Sequence, residues 1–396
     1  MSHNLEKIDL LLINFSTITI LQPVMLARGF RNIPKSSKRY QSIASGVWSD
    51  FSNRSEALKI ADEDIRQGIL NPINPNRGPA SIIKEEARMK YHSPIGIDET
   101  FAFAYNYLQN ESEKLYQKIE DLRQVNPKTE IIDEKIEILL KKAETFNPEV
   151  LYNTTFLSTE TLDRSQPVYR SLLKKKWQNY DLMVTMQRLE QLHVLPDTLP
   201  TFEPEADVKI KFPHNSDPKL VNWITPGTIL STISVSKPPT IKIDHFDSPG
   251  QNLYSVILIN PDTPDLQKNS FSTTLHYGLA NIDLSLSDNI IDTKKLLELN
   301  PENIIKDYLP LTPEVNAQNQ RACLWVFKQS KPIEIADVSR ENFDIRQFAE
   351  DHQLTPIGAH VWRQHFDTTT NTVRDMYGLG KGTVFHRVRK NRLMVD

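Results

Sequence analysis

The segment LYSVILINPDTPD, residues 253–265, decides the fold: a run of strand-forming side chains from Leu253 to Ile259 stops at Asn260, Pro261, Asp262 and Pro264. Tyr, Val and Ile suit a pleated, half-buried surface, whereas proline brings no N–H to a sheet ladder, so the text predicts a strand over 253–260 followed by a loop. Working outward, DVKIKF at 207–212 alternates Val208, Ile210 and Phe212 with Lys209 and Lys211, the pattern of a second strand. Further strands are expected at 228–235, 240–243, 276–286 and 321–328, with Pro, Asp and Asn clusters between them. Short strands joined by irregular loops predict a compact two-sheet β domain over residues 197–367.

Upstream the chemistry changes. Residues 98–196 read as helical: Phe101, Tyr105, Leu108, Leu115, Ile119 and Leu122 recur at helical spacing after Asp98, a good N-cap, and Asn126-Pro127 ends the run. A second helix carries Ile132, Ile136, Leu139, Ala143 and Phe146 and closes at Asn147-Pro148. A third opens near Ser165–Pro167 and carries Leu173, Trp177, Tyr180, Val184 and Leu189. Lys174, Lys175 and Lys176 form a short basic cluster on it, either a solvated face or a contact for RNA phosphates. Residues 48–97 have prolines at 72, 75, 79 and 94, so an extended arm is expected, with at most one short helix near 81–91 and no core of its own. A final helix is expected near 340–351, with Phe343, Ile345 and Phe348 inward. After Asp367 a basic tail, residues 368–396, should leave the domain; it gathers Arg374, Lys381, Arg387, Arg389, Lys390 and Arg392 among Tyr377, Phe385 and His386, charge for phosphates beside rings that stack on bases. The expected class is therefore α+β.

The N-terminal 47 residues carry two signals. Residues 10–21 are apolar but too short to span a bilayer, and Glu6, Asp9 and Asn14 spoil a secretory reading. From Met25 the text is rich in Arg and Ser and free of acids until Asp50, which reads as a mitochondrial presequence with Met25 as the functional start. Formal charge of −3 over 396 residues announces neither nucleic acid nor an acidic substrate. One cysteine, Cys323, excludes an internal disulfide and suits a reducing compartment. No phosphate-binding glycine loop, zinc spacing or nucleophile elbow occurs, since GLGKG at 378–382 lacks the required spacing. The expectation is no enzyme, no cofactor, no metal, no small-molecule substrate and no membrane insertion.

Four motifs keep their order along the β region: INPDTPD, then TLHYGLANI at 274–282, then YLPLTPEVNAQNQRACLWVFKQ at 308–329, then FDIRQF at 343–348 with PIGAHVWR at 356–363. Together they resemble the phosphatidylethanolamine-binding protein family, whose pattern runs D-P-D-A-P, H-x-L-V-x-N, Y-x-G-P-x-P and H-R-Y. The resemblance implies that family's two-sheet fold and a small anion pocket at the strand ends. Most pocket positions depart from it. The first pocket Asp falls on Asn260, while Asp262, Pro264 and His276 are kept; the glycine positions become Pro310 and Thr312; and H-R-Y keeps only Arg321, between Gln320 and Ala322. Proline offers no N–H to an anion, so weak or absent binding is expected at this vestigial pocket.

MQRLEQLHVLPDTLPTF at 186–202 and DIRQF add a narrower resemblance, to fungal mitochondrial large-subunit ribosomal proteins carrying such a domain. This implies a structural constituent of the mitochondrial ribosome in the matrix, at the central protuberance, supporting mitochondrial translation. Its partners would be large-subunit mitochondrial rRNA and neighbouring ribosomal proteins. A soluble ligand-binding or protease-inhibitor module is the alternative.

Overall fold

The computed structural model describes residues 46–386 apart from 52–53, 71–81, 83, 93, 126–128, 247–251, 287, 299–302 and 335–337. The leader at 1–45, with the proposed start at Met25, and the terminal cluster Arg387, Arg389, Lys390 and Arg392 lie outside the described residues.

The sheet half holds β1 (Ala206–Lys211), β2 (Ile229–Leu230), β3 (Thr240–His245), β4 (Asn252–Asp265), β5 (Ser270–Leu284), β6 (Ile290–Ile291), β7 (Ile304–Lys306), β8 (Gln320–Gln329) and β9 (Thr355–Gln364). Two sheets form, in the orders β1-β3-β6 and β2-β9-β8-β4-β5-β7; every pairing is antiparallel except β2 with β9. Because side chains alternate along a strand, β8 divides its apolar residues between two cores. Ala322, Leu324 and Val326 join Val208, Ile210, Ile243 and Val256 between the sheets, while Cys323, Trp325 and Phe327 join Phe202, Leu189 and Ile345 on the other side. The larger sheet is therefore covered on both faces, which explains why VILI and ACLWVF read as unbroken apolar runs. Gly358 of β9 marks where the layers touch, since a Cβ there would lie 2.9 Å from the Ala206 carbonyl oxygen.

The strand readings at 207–212, 240–243, 253–260, 276–286 and 321–328 fall on observed strands, but the loop expected after Asn260 does not form: β4 runs on through Pro261 and Pro264 to Asp265, paired with a β5 that begins at Ser270. Two differ. In the 228–235 segment only Ile229–Leu230 pairs, and Ile233–Val235 is a turn of 3-10 helix. β9 was not foreseen as a strand: Pro356 and Gly358 disguise it, and they sit at a bulge where the register against β8 shifts between Val326 and Phe327.

The helical half holds α1 (Glu63–Leu70), α2 (Glu85–Met89), α3 (Ile97–Arg123), α4 (Glu130–Glu144), α5 (Pro148–Phe156), α6 (Pro167–Asn179), α7 (Asp181–Gln191) and the short α8 (Val194–Asp197). Short helices α9 (Pro218–Val221) and α10 (Thr293–Glu298) punctuate the sheets, and α11 (Ile345–Asp351) and α12 (Thr370–Met376) follow β8 and β9. The N-cap of α3 is Gly96 rather than Asp98, at a φ of 84° that a side chain resists, with Asp98 in the first turn. Asn147 does not simply close α4: its side chain accepts from the Glu149 N–H and starts α5, with Pro148 in the first turn. The single third helix is two, α6 and α7, broken at Tyr180 with φ −140° and ψ −64°. The break lets Leu173 face the helical core while Leu189 faces the large sheet. Periodicity alone runs through such a break unmarked.

The arm departs furthest from expectation. Residues 46–70 lie on the chain's own helices: Trp48, 1% exposed, packs with Ala102 and Tyr105 of α3, and Leu58 joins Val150, Val168 and Tyr169. Removing the Trp48 ring would cost about 3–5 kcal/mol. The arm's own text is mostly polar and proline-broken, so the partner that orders it had no local signature.

Candidate functional site

At the strand ends the family's pocket positions are bonded to one another. The Asn260 amide donates to Gln320 Oε1 at 3.0 Å, and Asn260 Oδ1 accepts the Asp262 N–H at 2.9 Å. Asp262 in turn receives Arg321, whose Nε lies 2.9 Å from Oδ2 and whose backbone N–H donates to the same oxygen at 2.8 Å. Ala322 is fully buried in the inter-sheet core. An arriving anion would have to displace these internal partners at the cost of leaving buried polar atoms unpaired.

His276 is buried on β5. Its Nδ1 donates to the Leu309 carbonyl at 2.8 Å, and the Leu309 N–H returns a bond to the His276 carbonyl at 2.8 Å. Burial pushes its pKa down to about 4, against the opposing pull of the Leu309 carbonyl, with Arg340 adding to the depression, so the ring is neutral at physiological pH. Buried and neutral, it fixes the third motif to β5. The fully buried Cys323 thiol is pushed up by desolvation, away from the thiolate a nucleophile needs.

Arg321 reaches beyond the pocket. Its Nη1 donates to the Leu192 and His193 carbonyls at 2.7 and 2.9 Å and to Asp197 Oδ2 at 2.8 Å. Arg346 of the DIRQF motif grips the same hook from α11, with Nε donating to the Thr198 carbonyl at 2.8 Å and Nη2 to the Pro196 carbonyl. Both motif arginines thus bind the LHVLPDT turn joining helices to sheets. Composition and spacing give no sign of this, and the MQRLE and DIRQF segments carry the resemblance without indicating a contact between them.

The tail is corrected in part. Asp367 accepts from the Thr232 N–H at 2.8 Å and from the Thr369 N–H at 2.9 Å, anchoring the entry to α12. Burial opposes the Asp367 charge, but these bonds outweigh it and lower its pKa. Thr370 and Val373 are buried, the Tyr377 hydroxyl donates to the Ser236 carbonyl at 2.6 Å, and the Phe385 N–H donates to the Val315 carbonyl at 3.0 Å. Residues 368–386 therefore belong to the domain, because a buried, hydrogen-bonded helix faces the 3-10 turn after β2. Arg374, expected to face RNA, instead reaches the Gly380 carbonyl at 3.0 Å and Thr312 Oγ1 at 3.3 Å, with Glu314 at 3.9 Å. Lys381 is exposed, as are Lys175 and Lys176 on α6; Lys174 is half-buried in the groove between α4 and α6. Pro310 and Thr312 lie in the loop before β8 and Pro264 near the end of β4, opposite Phe271, and none brings a charged side chain to the cluster.

A second polar cluster, not anticipated from the sequence, lies under the arm. Glu144, nearly fully buried, accepts from Arg54 Nε at 2.7 Å, the Tyr116 hydroxyl at 2.6 Å and the Asn147 amide at 2.7 Å. Glu149 accepts from the Ile60 N–H at 3.2 Å and from Arg66 Nε at 3.0 Å. Trp48 Nε1 donates to Ser112 Oγ at 3.0 Å. Glu144 is satisfied by its partners, as a buried charge must be, while Glu149 pairs through Oε2 and leaves Oε1 without a hydrogen bond. They hold the arm in register.

Among the described residues no helix is long and apolar enough to cross a membrane, and no group of three or more His, Cys, Asp or Glu could hold a metal ion.

The family model "Phosphatidylethanolamine-binding protein" matches residues 221–362. Solved structures of a carboxypeptidase Y inhibitor complexed with its cognate proteinase (14% identity, 47% of this chain and 96% of the other, TM-score 0.38) and of the phosphatidylethanolamine-binding protein from Plasmodium vivax (13%, 46% and 98%, 0.36) are similar in part. Superpositions this loose carry no functional weight. The large ribosomal subunit protein mL38 of Schizosaccharomyces pombe is 31% identical over 277 residues, 68% of this chain and 84% of the relative. An alignment of that length cannot fit inside 221–362 and takes in sequence beyond the matched domain. The chain belongs to the family of the large ribosomal subunit protein mL38, with a phosphatidylethanolamine-binding-protein-like fold as its β half.

Proposed function

We propose that the chain is a structural constituent of the large subunit of the mitochondrial ribosome, sited at the central protuberance in the matrix and supporting mitochondrial translation. One observation carries the reading: the relative named as a large-subunit ribosomal protein is matched over 84% of its length. The strand-end cluster supports it, since Asn260, Gln320, Asp262 and Arg321 use their polar groups on one another. The β half then serves as a rigid block, and the arm, the helices and the chain's far end spread contacts over rRNA and neighbouring proteins. Lys175, Lys176 and Lys381, with the terminal Arg387, Arg389, Lys390 and Arg392, are the proposed phosphate contacts; no catalytic role is assigned to any residue. Because residues 368–386 contribute to the fold, removing the chain from residue 387 onward isolates the terminal charge.

The test is to tag the full chain, lyse purified mitochondria and sediment it through sucrose with and without magnesium. Co-migration with the large subunit and the monosome, shifting on magnesium depletion, is expected. A chain at the top of the gradient overturns the reading. The family-model match favours a second reading, an anion-binding or inhibitor module. Inorganic phosphate would then raise the melting temperature of the full chain; no shift is expected.

A further inference from the structure

The N-terminal half of α3 is apolar on more than one side. Ala102, Tyr105 and Gln109 face the Trp48 cluster and are buried, yet Ile97, Phe103 and Tyr107 point outward and are 55%, 76% and 59% exposed. Ile95, just before the helix, is fully exposed. A helix carrying apolar side chains all round is the pattern of a buried helix, and grouped rather than scattered exposed apolar residues mark contact surfaces. Along α3 itself the charge of this ridge is one-sided. Glu99, Phe103, Tyr107 and Glu111 follow one another at four-residue intervals and so form one row along the helix, two acids bracketing two rings. Between residues 91 and 113 stand Asp98, Glu99, Glu111 and Glu113 and no Lys or Arg; the first cation is Lys114, which bonds Glu111 at 2.6 Å at the far end of the row.

We propose that this face of α3 docks a cationic amphipathic segment of another protein chain. Phe103 and Tyr107 would enter its apolar side while Glu99 and Glu111 meet its Lys or Arg residues. Nucleic acid is the disfavoured occupant: phosphates would face Glu99 and Glu111, and the nearest cation along α3, Lys114, is already bonded to Glu111. Aromatic anchors ringed by complementary charge supply both affinity and register. The inference rests on the assembly reading above for the particle in which it is tested.

The experiment places p-benzoylphenylalanine at Phe103 of the tagged full-length chain, irradiates intact mitochondria, and sequences the cross-linked peptide by mass spectrometry. The same probe at Gln117, exposed about 21 Å farther along α3 and beyond the apolar row, is the control. The expected product is a peptide of a different protein, net positive and apolar on one face, whose yield falls when Glu99→Lys and Glu111→Lys are combined. A cross-link to RNA, to this chain itself or to an acidic peptide overturns the proposal, as does a yield no greater than at Gln117. A companion variant, Phe103→Glu with Tyr107→Glu, should melt as the wild type does while its retention in the particle weakens about tenfold, the scale of a modest hot spot. Unchanged retention also overturns it. Cross-linking is read in whichever gradient fraction the chain occupies. A chain outside the large subunit thus defeats the assembly reading, whereas a chain inside it without this product defeats the docking surface.

Discussion

Two buried polar clusters hold this molecule together, and they differ in origin and in what they join. The strand-end cluster of Asn260, Asp262, Gln320 and Arg321 occupies the positions of a family ligand pocket and now reaches outward through Arg321 to the 192–197 turn. Beneath the arm, the other cluster is built on the helix carboxylates Glu144 and Glu149 and catches residues from 48 to 66. In the first, groups suited to a pocket have become a joint between helices and sheets; in the second, buried charge gives register to a segment with little apolar text. Both tie a sequence-distant segment to a rigid body, so both should fail locally before the whole chain unfolds.

Their costs should differ. Glu144→Ala strips Arg54 of its carboxylate while leaving the guanidinium buried, and breaking a buried pair from one side costs about 3–5 kcal/mol. Arg321→Ala acts at a partly exposed site, where water can rehydrate Asp262, so about 2–3 kcal/mol is expected. Urea unfolding measures both, and hydrogen exchange locates them. Protection should be lost first across residues 46–70 in the Glu144 variant and across 192–199 in the Arg321 variant. Equal loss in both segments for either variant would show the two joints to be one cooperative unit.

Acid should separate the halves further. His276 and His360 are buried in the sheet half, and desolvation depresses each to about 4 despite hydrogen bonds from ring nitrogens to the Leu309 and Ile224 carbonyls. An unfolded histidine takes up its proton near 6.5 and these do so only near 4, so the unfolded state binds more protons between those values. The stability they contribute is complete above pH 6.5 and is lost as pH falls toward 4. By pH 5 the loss is about 2 kcal/mol per histidine. Melting curves from pH 7 to 5 check this, with His360→Gln flattening part of the slope; a pH-independent melting temperature would contradict the buried, neutral assignment.

How far the sequence disclosed this follows from which signals are local. The strands at 207–212, 253–260 and 321–328 were legible because the alternation of the first and the unbroken apolar runs of the other two are written in neighbouring residues, although the prolines after Asn260 do not end β4. β9 was not, because Pro356 and Gly358 serve a bulge and a close approach that only the opposite sheet explains. The pocket substitutions were readable as chemistry, yet nothing in them foretold that Arg321 would turn toward residues 192–197. Arg374 misled for a related reason: a charge beside aromatics reads as an RNA contact until a backbone carbonyl sixty-two residues away, at Thr312, is found in its path. Trp48 and Arg54 lay in text read as a coreless arm, since their partners, Ser112 and Glu144, are distant in sequence.

The smallest effect tests the strand-end cluster most finely. Asn260→Asp restores the acid that the family resemblance places there, and side-chain volume hardly changes. In this chain the Asn260 amide N–H donates to Gln320 Oε1, whereas a carboxylate would face that oxygen with no proton between them. If Gln320 turns its amide, the bond reforms with donor and acceptor exchanged; the remaining cost, a buried charge beside Asp262, is about 1 kcal/mol. Phosphate should still give no thermal shift, because Pro310, Ala322 and the Arg321–Asp262 pair stay as they are. Should this one substitution bring phosphate stabilisation, the cluster is a pocket closed by a single amide; without it, the cluster is a joint that no single pocket residue reverses.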